Sequence, residues 1–223
     1  MELLNSLVGQ INDILWSYVL IILLIGAGII FTIRTKFVQI RFIKEMIRLI
    51  AGDAGNKMEG QQISSFQAFC VSTASRVGVG NIAGIAIAVV LGGPGAIFWM
   101  WIIAILGSAT GFVESTLAQI YKVPRTDSNG YLGGPAYNIN NALHSPKTAV
   151  FFAILISVTY GLIFNSVQSN TISLSLQTAF NFDATMIGIV IAVFSGIVVF
   201  GGLHRIAKVT EYMVPIMAGI YLL

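Results

Sequence analysis

Long apolar segments alternate with short polar segments along the whole chain of 223 residues. A helix needs about 20 apolar residues to cross the hydrocarbon of a bilayer. By that measure the pattern predicts six membrane-spanning helices, at residues 14–33, 64–91, 95–121, 149–180, 184–203 and 212–223. The last segment is too short to cross, so we expect a chain truncated from a longer protein. The pattern thus predicts an all-α polytopic membrane protein with a single transmembrane domain over residues 1–223.

The polar segments between these spans differ in character. In 36–50 apolar residues recur at spacings of three and four between basic ones, which predicts an amphipathic helix lying along the inner leaflet. Residues 127–130 and 133–135 carry turn signals, and residues 136–143 are predicted to form a short interfacial helix. Residues 203–211, which include His204, are predicted to form a loop.

Basic residues are concentrated in alternate polar segments. Eleven of the twelve Lys and Arg residues fall in 34–63, 122–148 and 203–211. Anionic lipid and the membrane potential hold such cations on the cytoplasmic side of a plasma (inner) membrane. We therefore expect Lys57 and Lys147 to be cytoplasmic, and the N-terminus and Asp183 to be outside.

Composition excludes several classes of protein. The chain is 56% hydrophobic and 9% charged, whereas soluble domains carry about 25% charged residues. The cations lie in loops and form no separate basic face, so we expect no nucleic-acid partner. One cysteine and two histidines predicted in loops (His144 and His204) do not supply the convergent groups that a membrane enzyme needs. A channel is disfavoured because no filter sequence is evident.

The second span carries a cluster of polar residues and glycines that points to function. The cluster consists of Ser72, Thr73, Ser75, Arg76, Gly78, Gly80 and Asn81. The Gly-x-Gly-Asn sequence weakens the helix at a depth where lipid cannot satisfy backbone groups, so the break must face protein or a wet cavity. Two half-helices would then meet at mid-membrane, with a helix N-terminus for a carboxylate and freed carbonyls for a cation. This arrangement is typical of a secondary transporter for a zwitterion coupled to a metal ion.

An alternative reading of the same residues is tight helix packing. Gly80 and Gly84 form a Gly-x-x-x-Gly motif, which often marks a helix–helix contact. A packing seam, however, needs neither the amide of Asn81 nor the mid-membrane cation of Arg76.

Two further groups of polar residues fall inside spans. The predicted depths of Arg76 and Glu114 differ by only ~8 Å at 1.5 Å per residue, so we expect a structural ion pair; the alternative is a proton or gating site. Asn165, Gln168 and Asn170 lie near the middle of 149–180. They either line a pocket or form hydrogen bonds between helices.

The sequence also resembles a known family. The stretch GGPGAIFWMWIIAILG at 92–107 is similar to the signature of the sodium:alanine (alanine or glycine:cation) symporters. ASRVGVGNIAGIAIA before it, ESTLAQIYK at 114–122, Gly133–Tyr137 and VQSNTIS at 167–173 resemble the same family. Members of the family are about twice as long, which implies that the C-terminal half is missing here.

The resemblance implies a leucine-transporter-type fold, in which two inverted repeats of five helices carry broken first helices. Span 14–33 would be an extra N-terminal helix, and the remaining five spans would be the first repeat. The resemblance also implies site residues. Backbone amides of Gly78, Val79 and Gly80 would bind a substrate carboxylate, with Thr73 and Gln168 beside it. Carbonyls of Ala74 and Val77 and the side chain of Asn81 would ligate sodium, and Asn81 could instead orient the carboxylate.

The function implied is sodium-coupled symport of small neutral amino acids, alanine or glycine, by alternating access. Sodium would be the coupling ion, and no other cofactor is expected. The alternative is coupling to protons, with Glu114 as the carrier.

Overall fold

The computed structural model describes residues 2–52, 63–126 and 130–222, and these are mostly helical. The helices in the first part of the chain are α1 (Glu2–Ile14), α2 (Leu20–Arg34), α3 (Val38–Arg41), α4 (Ile43–Gly52), α5 (Ser65–Arg76), α6 (Ala83–Gly92) and α7 (Gly95–Ile120). Those in the second part are α8 (Pro135–Ala142), α9 (Pro146–Val158), α10 (Asn165–Phe180), α11 (Ala184–Val199) and α12 (Gly202–Leu222). Two-residue strands β1 (Val123–Pro124) and β2 (Tyr131–Leu132) pair antiparallel.

Length and composition identify the helices that can cross a membrane. Within the described part of the chain three continuous helices qualify, at Asn5–Arg34, Gly95–Ile120 and Pro146–Phe180. Two bent pairs qualify together, with bends of 74° between α5 and α6 and of 118° between α11 and α12. Large apolar side chains on these helices are exposed, for example Val90 at 82%, as lipid-facing positions of a polytopic membrane protein are.

The helices fall into two compact units, and the first comprises residues 1–44 and 91–146. In it α2 packs on α7, and Gly28 lies against Leu106 so closely that a Cβ atom there would be 2.8 Å from the Cβ of Leu106. Thr32 and Ala109 are buried in the same seam. The α2–α7 contact is therefore the core of this unit.

Both helices of the α2–α7 pair are followed by short elements that pack back on α7. After α2 the chain turns through left-handed residues Lys36 and Phe37, and α3 then lies against α7 with Val38 buried. After α7 the β1–β2 hairpin leads into α8, and the Nδ2 of Asn141 donates to the Tyr121 carbonyl at 3.1 Å.

The second unit comprises residues 45–90 and 147–223. Its most extensive contact joins α5 to α12, with Cys70, Ala207 and Val214 buried. Ser64 begins α5 with a capping box: its Oγ accepts from the Gln67 N–H at 3.1 Å, and the Gln67 Oε1 accepts from the Ser64 N–H at 3.2 Å. In the same unit α10 packs on α11.

Several elements agree with the sequence-based expectations and others differ. The predicted short helix after Pro135 is confirmed as α8. The single amphipathic helix predicted at 36–50 is wrong in detail, because α3 ends at Arg41 and α4 begins at Ile43. The helix of the first span begins at Glu2, twelve residues before the predicted start of that span at residue 14. Lys57 and the predicted turn at 127–130, apart from Gly130, lie outside the described residues.

The loop predicted at 203–211 is also wrong. These residues, with His204, form the first turns of α12, which begins at Gly202 with a φ of 72°. Arg205 donates from its guanidinium to the Ile197 carbonyl at 2.8 Å, so this cation bonds the end of α11. Arg205 lies in the first turn of α12, and its side chain bonds a carbonyl near the C-terminal end of α11. Its charge is typical of a loop, although its backbone is helical.

Candidate functional site

The site predicted from the sequence lies where the second span breaks. α5 ends at Arg76, Val77 and Gly78 are extended, Val79–Asn81 forms one 3₁₀ turn, and α6 follows from Ala83. The two half-helices meet at 74°. The predicted break at the Gly-x-Gly-Asn sequence is therefore confirmed.

Two side chains satisfy the backbone N–H groups that the break would otherwise leave unpaired. The Oδ1 of Asn81 accepts from the Gly78 N–H at 3.1 Å. The Oε1 of Gln168, on α10, accepts from the Val79 N–H at 2.9 Å. Inside the turn, Asn81 N–H donates to the Gly78 carbonyl at 3.0 Å. Asn81 is thus a cap for the break, and Gln168 joins the break to a distant helix.

The same two bonds change what the last carbonyls of α5 can do. In a continuous helix the N–H groups of Gly78 and Val79 would bond the carbonyls of Ala74 and Ser75. Here those N–H groups donate to Asn81 and Gln168 instead. The carbonyls of Ala74 and Ser75 are thereby released from the helical pattern, and backbone carbonyl oxygens of this kind suit a hard cation.

A cavity of about 600 Å³ lies at the break. It is lined by six of the predicted site residues, namely Ala74, Val77, Gly78, Gly80, Asn81 and Gln168. Two other predicted residues take part in backbone hydrogen bonds near the cavity. The Thr73 carbonyl accepts from the Val77 N–H, and the Val79 N–H donates to Gln168. Thr73 and Val79 do not line this cavity within the described part of the chain.

Comparison with known proteins identifies the chain. The family model of the sodium:alanine symporter family matches residues 1–223. The chain belongs to the sodium:alanine symporter family.

Named relatives agree with this assignment. The chain is 52% identical over 221 residues to the probable sodium/glutamine symporter GlnT of Bacillus subtilis, covering 99% of this chain and 46% of the relative. It is 50% identical over 220 residues to the amino-acid carrier protein AlsT of Bacillus subtilis, covering 98% and 46%. It is 38% identical over 223 residues to the sodium/alanine symporter AgcS of Methanococcus maripaludis, covering 98% and 49%. The chain therefore spans about half the length of the curated relatives that it matches.

The family is one of symporters, and the apolar helices of the chain agree with a multi-pass membrane protein. Among the described residues, no group of three or more His, Cys, Asp or Glu side chains is placed to hold a metal ion. The hydrogen-bonding oxygen atoms at the break belong to backbone carbonyls and to the side-chain amides of Asn81 and Gln168, which are neutral.

The sequence did not predict the local geometry that brings the fourth predicted span, at 149–180, to the break. Thr159–Phe164 forms a π-helical segment, and α10 follows from Asn165. Tyr160 and Phe164 of this segment line the cavity beside Asn165. A π segment rotates the helix that follows it, and such segments are frequent at functional sites. The run of polar residues that follows at 165–170 is the one signal in the sequence.

A second cavity of about 930 Å³ lies between α10 and α11 in the same unit. Asn165 and Gln168 line both cavities, and Asn170 lines this second one. Asn165 also donates from Nδ2 to the Gly161 carbonyl at 3.4 Å, within its own helix. Of the three polar residues predicted to line a pocket, Gln168 is therefore the one that bonds the break.

Arg76 ends α5 at the edge of the first cavity. Its guanidinium donates to the Oγ and, at 3.5 Å, to the carbonyl of Ser72, one turn earlier. Arg76 belongs to one compact unit and Glu114, on α7, to the other. Their ion pair stays a prediction.

Proposed function

We propose that this chain is part of a symporter that couples the uptake of small neutral amino acids, alanine or glycine, to sodium across the plasma membrane by alternating access. The observation that carries the proposal is the break at 77–82. Around one cavity, the break brings together carbonyls released from the helical pattern, the hydrogen-bonded N–H groups of Gly78 and Val79, and the neutral side chains of Asn81 and Gln168.

The polarity of the break fits a zwitterion and a cation. The N-terminal end of α6 with its preceding turn carries a partial positive charge, which favours a carboxylate at the amides of Gly78, Val79 and Gly80. The C-terminal end of α5 carries a partial negative charge, which favours sodium at the carbonyls of Ala74 and Val77. Asn81 lies between the two ends, and its amide oxygen can serve either ligand without adding net charge. Thr73 would complete the substrate side, and Gln168 would border it through its bond to the Val79 N–H.

We also propose that the architecture is of the leucine-transporter type. In it α5 and α6 form the broken first helix of a repeat, α7, the Pro146–Phe180 helix, α11 and α12 form helices two to five, and α1 and α2 precede the repeat. What supports this is the helix order and the break in the first repeat helix. A second repeat would come from the part of the protein that the longer relatives contain. Complete substrate and sodium sites would need ligands from it.

The identity of the transported amino acid can be determined by comparing candidate substrates directly. One relative is named for glutamine and another for alanine. The proposal favours alanine and glycine, because α5 and the break present small side chains at Ala74, Gly78 and Gly80 to the cavity.

The proposal is tested with the purified protein reconstituted in liposomes. Uptake of labelled L-alanine is measured under an inward sodium gradient at fixed pH, with potassium replacing sodium in the control. Glycine, D-alanine and L-glutamine serve as competitors. Sodium-dependent alanine uptake is the expected result. Uptake driven by a pH gradient with no sodium present would overturn sodium coupling and support the proton alternative with Glu114 as carrier.

A further inference from the structure

Gln168 accepts a hydrogen bond from a backbone N–H that the proposed substrate site would use to bind a carboxylate. Its Oε1 lies 2.9 Å from the Val79 nitrogen, at the start of the 3₁₀ turn. A backbone N–H has one proton and donates to one acceptor in good geometry. An arriving carboxylate oxygen would therefore find this N–H already bonded.

The carboxamide of Gln168 fits closely against the break. A Cβ atom on Gly78 would lie 2.8 Å from the Gln168 Nε2 and 3.3 Å from its Cδ and Oε1. Gly78 is extended, with φ of −149°, so its backbone does not demand glycine. A Cβ at this position would require the end of the Gln168 side chain to shift, so the glycine leaves room for the carboxamide to reach the Val79 N–H.

Charge decides which acceptor the Val79 N–H prefers. The carboxamide oxygen is neutral, whereas a carboxylate forms charge-assisted bonds to N–H groups that are roughly twice as strong. An amino acid can therefore displace the carboxamide. Gln168 stands on α10 and the break on another element, so displacement also ends a contact between them.

We propose that Gln168 is an internal ligand of the substrate site, bonded to the Val79 N–H when no amino acid is bound and displaced by the substrate carboxylate. This inference rests on the proposed function, because it assumes a carboxylate at the break. The two possible roles of Gln168 predict opposite changes in substrate affinity. Removal of a residue that contacts the substrate weakens binding, whereas an internal ligand competes with the substrate, so its removal strengthens binding.

Binding of L-alanine to the purified protein in lipid nanodiscs, with saturating sodium, tests the sign. Gln168→Leu removes the acceptor at similar size, and its alanine Kd is expected to fall about 2- to 12-fold. Gln168→Glu places a carboxylate on the same tether, and its Kd is expected to rise above that of the wild type. The control is Asn165→Leu, on the same helix and cavity, which leaves the Val79 contact intact. A higher Kd for Gln168→Leu than for the wild type would overturn the inference.

Hydrogen exchange tests the internal bond without any substrate. In the absence of amino acid, exchange of the Val79 amide is expected to be about 2- to 12-fold faster in Gln168→Leu and slower in Gln168→Glu, and unchanged in Asn165→Leu. Equal exchange in the wild type and both Gln168 variants would overturn the inference. A wild type that does not bind L-alanine would instead contradict the proposed function, and exchange would still decide the fate of the internal ligand.

Discussion

The side-chain amide of Gln67 donates a hydrogen bond of 2.8 Å to the Oε2 of Glu211, which joins the first turn of α5 to α12. Gln67 also closes the capping box with Ser64, so one side chain fixes both the start of α5 and its partner helix. The buried Cys70 and Ala207 lie in the same seam between the two helices. The half-helix before the break is thereby attached to α12 by polar as well as apolar contacts.

Removal of the Glu211 carboxylate should loosen this seam. Glu211→Leu leaves the Gln67 Nε2 without its acceptor, and a hydrogen bond to a charged group contributes about 1.5–3 kcal/mol. We expect a lower unfolding temperature for the purified protein in detergent. Glu211→Gln keeps an acceptor oxygen and should retain most of the stability. Equal losses in the two variants would mean that the charge, and not the hydrogen bond, stabilises the seam.

The contact between Gly28 and Leu106 makes a second prediction about packing. Gly28→Ala would place a Cβ 2.8 Å from the Leu106 Cβ, so α2 and α7 must separate. Overpacking of this kind costs about 1–3 kcal/mol and should lower the unfolding temperature. Gly26→Ala, two positions earlier on the same helix, has no heavy atom within 4 Å and serves as the matched control. Leu106→Gly removes the clashing Cβ, so Gly28→Ala should cost less stability in that background than in the wild type; an equal cost in both backgrounds would contradict the contact.

The break and the π segment show what the sequence could and could not reveal. The break was predictable because Gly78, Gly80 and Asn81 remove helix propensity from an apolar run at one place. The π segment at Thr159–Phe164 was not, because one extra residue in a turn leaves no trace in the mostly apolar stretch before Asn165. The Gln168–Val79 bond depends on that local geometry and on a separation of 89 residues. Sequence therefore indicated Gln168 as a pocket residue but not its partner.

The start of α12 was missed for a different reason. Arg205 and Lys208 have the composition of a cytoplasmic loop, and charge patterning assigns residues to a side of the membrane without fixing their backbone. The helix begins at Gly202, so the charged turn and the apolar turns of α12 are continuous. Charge patterning thus placed the start of the helix at the predicted edge of the membrane, although a helix can begin before that edge.

Orientation can be checked at the two ends of one long helix. The Pro146–Phe180 helix has 35 residues, or about 50 Å at 1.5 Å per residue, enough to place its ends on opposite sides. In a Cys70→Ser background, Phe182→Cys should react with an impermeant maleimide on whole cells, because we propose that this end and the N-terminus are outside. Lys147→Cys should react only after permeabilisation. Phe182 is chosen because the neighbouring Asp183 caps α11 by accepting from Met186 N–H at 2.9 Å. Labelling of position 147 from outside would reverse the orientation.

The proposed pair of Arg76 and Glu114 makes a prediction about protein level. Arg76→Met would leave Glu114 without a countercharge inside the membrane, and breaking a buried pair costs about 3–5 kcal/mol. We expect less protein in the membrane for this variant, measured by fluorescence-detected size exclusion. Arg76→Met with Glu114→Gln should restore it.

A control separates the charge of Arg76 from its local bonds. Ser72→Ala removes the hydroxyl to which Arg76 donates but leaves both charges, so it should have the smaller effect. A double variant that is no better expressed than Arg76→Met would show that the two residues do not compensate each other.

Asn81 gives the sharpest test of the coupling site. If its Oδ1 ligates sodium, Asn81→Ala should reach the membrane normally but need about 10- to 150-fold more sodium for half-maximal alanine uptake, the shift that a lost bond of about 1.5–3 kcal/mol produces. A fall in alanine affinity at unchanged sodium dependence would assign Asn81 to the carboxylate instead.

The cap that Asn81 provides must be separated from any role in ligand binding, because Asn81→Ala also leaves the Gly78 N–H without its acceptor. Asn81→Asp keeps the capping oxygen and adds a negative charge near the proposed cation. If Asn81 serves sodium, the Asp variant should hold sodium at least as tightly as the wild type, while the Ala variant does not. If both variants lose sodium dependence equally, the geometry of the cap is what matters. Wild-type transport in both variants would remove the case for a site at the break and leave tight packing around Gly80 and Gly84 as the reason for its glycines.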